Sequence, residues 1–286
     1  MRAAIDIGSN TIQLLAGEVR DGVVMPAVRR LVTTRLGGNL KEGLLDSASV
    51  ENTVRALLEM RLLLDGMGIT EVRAVATSAV RDARNSESLL RRVKSVCGWD
   101  IEVLSGEREA FFSYTGAIGA AENVSGMMVL DIGGGSTEVI YPLGGELRFI
   151  SANVGAVRAQ AAGWSEARIM NELAKSIAPV TVSRAVGVGG TVTTTAALLS
   201  GVTEYSRQAV QGKIISYRQV FDLKEHLSRL SVEERRNYSP LLKDRGMVMA
   251  EGLTILISLM NILGLTEVTA SDSGILDGVL VGWDNV

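Results

Sequence analysis

The chain reads as an α/β protein made of two similar domains that face each other across a central cleft. Three observations predict this. A glycine-rich turn occurs twice behind a buried apolar strand, as Asp6-Ile-Gly-Ser-Asn10 and as Asp131-Ile-Gly-Gly-Gly-Ser-Thr137. The pattern strand–strand–strand–helix–strand–helix surrounds each turn. The length of 286 residues suits roughly two domains of about 100–200 residues each.

Residues 3–7, 11–19 and 23–35 are expected as strands, the last two joined by Asp21-Gly22, a hairpin turn signal. Val50, Val54, Leu57, Leu58 and Leu62 fall at helical spacing within residues 47–66, with Ser47 or Ser49 as the N-cap. A strand at 71–77, a helix at 86–96 ended by Gly98, a strand at 101–104 and a helix at 106–120 complete the first repeat. The second repeat begins with strands at 127–132, 137–143 and 146–153, the last pair joined by Gly144-Gly145. A helix (165–177), a strand (184–188), a Gly-Gly turn and a helix (191–199) follow. Helices are expected at 217–227, 246–263 and 274–281, and a last strand at 267–271. Aligning Asp6 with Asp131 sets Gly8 against Gly133, Gln13 against Glu138 and Leu15 against Ile140. The domains are therefore placed at 1–118 and 119–286, with the last helix able to pack back on the first. A repeat of this length is a domain, since solenoid periods run to about 20–50 residues.

Composition narrows the function classes. A hydrophobic fraction of 47% with 21% charged residues supports a large core. A net charge of −3 gives no electrostatic reason to expect a nucleic-acid partner. The single cysteine, Cys97, allows no internal disulfide and suits a reducing compartment. The single histidine, His226, excludes a His–Asp phosphohydrolase centre. No apolar run reaches the ~18–20 residues of a membrane span and no leader precedes the first strand, so a cytoplasmic location without a membrane partner is expected.

The glycine turns carry the chemistry. Glycine lets the backbone take positive φ and lets a ligand approach without a Cβ in the way, and successive N–H groups form an anion nest. One Asp-Ile-Gly turn is an ordinary tight hairpin; two aligned copies point to phosphate. The candidate phosphate-binding residues are Gly8, Ser9 and Asn10 in the first turn, and Gly133, Gly134, Gly135, Ser136 and Thr137 in the second. A third set, Gly189, Gly190 and Thr191, lies where a strand meets a helix N-terminus, which favours anions. Asp6 and Asp131 open their turns as outer partners for Mg²⁺, which takes one or two carboxylates and keeps several waters. Glu109 and Glu138 are candidates to orient or deprotonate a water, with Glu107 competing for the role of Glu109 and a surface position open to each. Arg81 offers a planar fork for phosphate oxygens, or a salt bridge with Asp82 or Glu87.

These motifs resemble the exopolyphosphatase / guanosine pentaphosphate phosphohydrolase (Ppx/GppA) family. The resemblance rests on Ala4–Asn10, Ala76–Asn85, Leu104-Ser-Gly-Glu107, Asp131–Glu138, Val154-Gly-Ala-Val-Arg158, Val186–Thr191, Arg245…Met249-Ala-Glu-Gly and Ser271–Gly278, which follow in order along almost the whole chain. It implies the actin-like superfold of sugar kinases and chaperones, in a short two-domain form without the family's C-terminal His–Asp-type domain. It also implies Mg²⁺-dependent (or Mn²⁺-dependent) release of terminal phosphate from inorganic polyphosphate, or conversion of pppGpp to ppGpp. By the same resemblance Glu109 is the catalytic glutamate, Glu138 closes the phosphate loop near the metal, and Arg81 grips phosphate. Ile12-Gln13, Arg108 and Phe111-Phe112 depart from the usual pattern and bear on substrate preference, Arg108 by charge pairing if it meets Glu109. Other expectations are a homodimer by base rate, or an actin-like regulatory ATPase on the same fold.

Overall fold

The computed structural model describes residues 1–38, 42–119, 126–180 and 184–284. Contacts divide the chain into two units, Met1–Ala120 with Ile275–Val286, and Ala121–Gly274.

In the first unit the strands are β1 (Arg2–Ile7), β2 (Thr11–Arg20), β3 (Val23–Thr33), β4 (Val72–Ala76) and β5 (Ile101–Val103), in the sheet order β3-β2-β1-β4-β5. The first three run antiparallel as hairpins, and β4 and β5 join parallel to β1. Asp21 and Gly22 take positive φ at the β2–β3 turn, as a two-residue hairpin requires. The helices are α1 (Ser47–Gly66), α2 (Ser78–Arg81), α3 (Ser86–Cys97), α4 (Gly106–Gly119) and α12 (Ile275–Val281). Period-two alternation divides β1 between two cores. Ala3, Ile5 and Ile7 pack with Leu57, Leu64, Leu89 and Val93 on one face. Ala4 packs with Phe112, Leu276, Val279 and Leu280 on the other, and Asp6 shares that face by register. Helix α12 meets α4 at backbone distance, since a Cβ on Gly278 would lie 1.9 Å from the carbonyl oxygen of Phe112. The Arg29–Asp277 ion pair, at 3.1 Å, ties α12 to β3.

The second unit repeats the plan with one strand more. Its strands are β6 (Met128–Ile132), β7 (Thr137–Leu143), β8 (Glu146–Ala152), β9 (Ala185–Val188), β10 (Ile214–Ser216) and β11 (Glu267–Ala270), ordered β10-β11-β9-β6-β7-β8. β6, β7 and β8 again form antiparallel hairpins, and β9 and β11 extend the sheet in parallel. Its helices are α5 (Ala156–Ala161), α6 (Glu166–Ser176), α7 (Gly189–Leu199), α8 (Arg207–Val210), α9 (Tyr217–Ser228), α10 (Val232–Tyr238) and α11 (Met249–Leu263). Met128, Leu130 and Ile132 enter one large core with α6, α7, α9 and α11. Asp131 pairs with Glu138 across the β6–β7 ladder, on the opposite face from that core.

The structure differs from the sequence expectation in five short elements. Helices α2, α5, α8 and α10 and strand β10 were not expected. The helix expected from 246 begins at Met249, and the one expected from Thr191 begins at Gly189. The last residue of the expected helix 106–120 lies outside the described residues.

Candidate active site

The first turn joins β1 to β2. Gly8 N–H donates to the Thr11 carbonyl at 3.0 Å, which closes the turn. The Asn10 carbonyl accepts from the amides of Thr34 and Arg35, and the Ser9 carbonyl from that of Gly37 at 2.8 Å. Ser9 and Asn10 are 5% and 9% exposed. The Nδ2 group of Asn10 is buried and donates to none of the described residues. The Ser9 hydroxyl meets the Ser78 hydroxyl at 3.0 Å, which ties the turn to the start of α2.

Helix α2 ends at Arg81, and its Nη1 donates to the Leu104 carbonyl at 2.9 Å and to Glu109 Oε2 at 2.8 Å. The sequence offered Asp82 or Glu87 as ion partners; Arg81 instead reaches an acid 28 residues away, and Glu87 pairs with Arg91. Glu109 is 8% exposed in the first turn of α4, where the helix N-terminus favours a carboxylate, and Arg81 offsets the cost of burying it. Glu107 is exposed. Arg108 pairs with Glu102 at 2.8 Å and lies over the Phe112 ring. Asp6 is buried at the end of β1, two residues before Gly8.

The second turn joins β6 to β7. Gly133 N–H donates to the Ser136 carbonyl at 3.0 Å, as Gly8 does to Thr11. Ser136, Thr137 and Glu138 are each 1% exposed or less. Thr137 Oγ1 donates to the Val154 carbonyl at 2.5 Å, so the proton of an expected phosphate ligand is engaged within the protein. Glu138 Oε1 accepts from the Ser151 hydroxyl at 2.9 Å, across the β7–β8 ladder. The amides of Gly134, Gly135 and Ser136 donate to no acceptor among the described residues, whereas the carbonyls of Gly133, Gly134 and Gly135 are all occupied. That arrangement is an anion nest.

The third turn places Gly189 at φ +83°, where a Cβ would lie 2.7 Å from the Ile132 carbonyl oxygen and 3.1 Å from Asp131 Oδ1. Asp131 thus sits against the start of α7. Gly190 faces the Arg245 guanidinium, whose pKa burial holds below the usual arginine range. Thr191 is buried against Gly252 of α11. His226 and Cys97 stand apart: the first is exposed beside Tyr238, and burial pushes the second thiol up.

Sequence reasoning missed Ser151 and Gly37. Ser78, Gly155 and Arg158 lay inside motifs that were noticed but were given no role.

Asp131 and Glu138 are paired across one ladder, so two carboxylates share one face, a donor set of the number Mg²⁺ accepts when water completes its shell. Among the described residues no group of three or more His, Cys, Asp or Glu side chains converges as a protein-only metal cage. No described helix is long and apolar enough to cross a membrane.

Comparison with known proteins gives the family and the fold. The model of the Ppx/GppA phosphatase family matches residues 17–285. Exopolyphosphatase 2 of Mycobacterium tuberculosis is 28% identical over 307 residues, covering 97% of this chain and 96% of the relative. The crystal structure of the Aquifex aeolicus Ppx/GppA family member is 31% identical with a TM-score of 0.81, covering 99% of this chain and 97% of that one. An exopolyphosphatase structure from Cytophaga hutchinsonii, at 22% identity and a TM-score of 0.88, shares the fold over 99% of this chain and 98% of its own. The two units therefore have the actin-like α/β fold, and the chain belongs to the Ppx/GppA phosphatase family of hydrolases acting on phosphoanhydride bonds.

Proposed function

We propose that the protein is a Mg²⁺-dependent exopolyphosphatase that releases the terminal phosphate of inorganic polyphosphate. The observation that carries this reading is the row of unoccupied amides at Gly134, Gly135 and Ser136 above an acid-bearing ladder. Such donors match the equatorial oxygens of a phosphoryl group, where charge accumulates during transfer. The name of the Mycobacterium tuberculosis relative supports polyphosphate as the substrate.

In this reading the amides of Gly134, Gly135 and Ser136 offer phosphate donors in the second unit, and Asn10 Nδ2 with the Ser9 and Asn10 amides offers them in the first. Glu109 takes a proton from the attacking water. The new bond joins the water oxygen to the terminal phosphorus, and the bridging oxygen leaves with the shortened chain. Arg81 holds the Glu109 carboxylate in place and presents its remaining N–H groups to substrate oxygens. Asp131 and Glu138 would hold Mg²⁺, with Asp6 behind the first turn. The metal, when bound, supplies positive charge to phosphate oxygens.

The test is phosphate release by purified protein, with Mg²⁺ and with chelator, from long polyphosphate, tripolyphosphate and pppGpp. Release from inorganic polyphosphate, long or short, supports the proposal; release confined to pppGpp replaces it with the pentaphosphate hydrolase reading. Glu109→Gln is expected to lose about 10²–10⁴-fold in kcat while still binding polyphosphate. Near-wild-type turnover would remove Glu109 from the role.

A further inference from the structure

The second turn has the short helix α5 behind it. Ala156 N–H donates to the Gly133 carbonyl at 3.1 Å. The amides of Val157 and Arg158 both donate to the Gly134 carbonyl at 2.9 Å. The Arg158 side chain adds a fourth bond, Nε to the Gly135 carbonyl at 2.7 Å. Three consecutive carbonyls are thus drawn to one side.

The consequence follows from the peptide bond. Each carbonyl is trans to the N–H of the next residue within one plane. Fixing the carbonyls of Gly133, Gly134 and Gly135 toward α5 therefore turns the amides of Gly134, Gly135 and Ser136 away from it, together. A free Gly-Gly-Gly segment has no such preference, because glycine samples positive and negative φ almost equally. The nest exists only while all three planes are held. Two are held by backbone groups of α5. The third, Gly135–Ser136, is held by a side chain. Gly155 permits the approach: a Cβ there would lie 2.4 Å from the Gly134 carbonyl carbon and oxygen.

We infer that Arg158 is a positioning residue for phosphoryl transfer, one that sets the Ser136 amide toward the substrate by fixing the Gly135 carbonyl. Guanidinium suits the role. It stays charged, its bond to a carbonyl is charge-assisted, and its planar fork has one geometry. Loss of the bond frees one peptide plane without removing any group that touches substrate.

The inference rests on the reading that the second turn holds the transferred phosphoryl, so the experiment separates the two. Five proteins are compared: wild type, Arg158→Met, Arg158→Lys, Glu109→Gln and the double variant Glu109→Gln/Arg158→Met. Turnover of tripolyphosphate, its binding by calorimetry and the unfolding midpoint are measured for each. Arg158→Met is expected to fold and to lose about 10–100-fold in kcat, of the order seen when one oxyanion donor is misplaced, with KM changed less than threefold. Arg158→Lys, which keeps a donor within reach of the carbonyl, is expected to recover at least a third of the lost activity on a logarithmic scale. Equal kcat for Arg158→Met and wild type overturns the inference, as does a drop that Arg158→Lys does not relieve. Should Arg158→Met fail to fold, Arg158→Lys decides: wild-type folding with a kcat reduced by less than tenfold supports the role, and a wild-type fold with no activity overturns it. If Glu109→Gln does not bind tripolyphosphate, or turns over normally, the phosphoryl-site reading fails instead. If it binds and the double variant binds as tightly, the brace affects the reaction and not ground-state affinity, as a positioning role requires.

Discussion

The first glycine turn is braced by the backbone of the turn that follows β3, and the second by a helix and a guanidinium. In the first, amides of Thr34, Arg35 and Gly37 occupy the Ser9 and Asn10 carbonyls, so backbone does all the holding. In the second, three α5 amides and the Arg158 side chain occupy the carbonyls of Gly133, Gly134 and Gly135. Both arrangements turn successive N–H groups to the opposite side. The two turns close over the same span, and the first carries a side-chain donor, Asn10 Nδ2, where the second has a third glycine. A brace made of backbone tolerates most substitutions. One that ends in a side chain can be lost by a single change, which makes the second turn the more vulnerable.

The largest effect should come from closing the space between brace and turn. At Gly155 a Cβ would meet the backbone of Gly134 and Gly135 at 2.4–2.5 Å, and neither can yield without moving the nest. Gly155→Ala is expected to lower kcat/KM by at least about 100-fold through misplaced donors. At Gly37 the Cβ would meet Ser9 Cβ at 2.8 Å and Ala79 Cβ at 3.3 Å, both side-chain atoms. Gly37→Ala is therefore expected to cost nearer 10-fold. Steady-state kinetics on both variants, with circular dichroism to establish folding, checks the ranking. Equal losses would mean that the two turns are held with equal rigidity.

A smaller pair tests the hydroxyls behind each site. Ser151 donates to the buried Glu138 carboxylate, and Ser78 meets Ser9 in a neutral contact. Bonds to ionised groups contribute about 1.5–3 kcal/mol, against roughly 1 kcal/mol for neutral ones. Ser151→Ala should therefore lower activity by at least about 10-fold and Ser78→Ala by about 5-fold, at a conversion of about 1.4 kcal/mol per decade. A greater loss from Ser78→Ala would place the more demanding chemistry at the first turn.

Much of this was legible in the sequence, and the rest was not for definite reasons. The paired turns and their hairpins follow from local chemistry: Asp21-Gly22 and Gly144-Gly145 must take positive φ, and all four do. The acids and glycines of the site lie in contiguous motifs. The Arg81–Glu109 pair could not be read, since it links residues 28 apart that only the α2–β5–α4 packing brings together. Helix α5 has six residues, and its N-cap, Gly155, makes no side-chain cap bond, so nothing marks its start. Strand β10 has three residues whose pairing with β11 depends on tertiary structure. Helix α10 is different: Ser231 and Glu234 form a capping box, a signal present in the sequence and passed over.

The smallest effect concerns two acids near helix starts, one in each unit, Asp277 buried and Glu251 half-buried. Asp277 of α12 is 4% exposed and paired with Arg29. Glu251 of α11 precedes Gly252, which packs against Thr191 of the third turn, and its Oε2 makes no hydrogen bond among the described residues. Burial pushes the Glu251 carboxyl above its ordinary value, with Arg235 opposing only in part. A raised carboxyl pKa means that the folded protein binds more protons than the unfolded chain once pH exceeds the ordinary glutamate value. Stability contributed by this group therefore falls as pH rises through that window and stays low above the raised pKa. Glu251→Gln removes the charge and keeps the shape. It should raise the unfolding midpoint by about 1–2 °C at pH 7, and by less at pH 4 where the wild-type carboxyl is already protonated. Melting curves for both proteins at the two pH values measure the difference directly. A variant less stable than wild type at pH 7 would mean that the Glu251 carboxylate has a stabilising partner, as Asp277 has in Arg29.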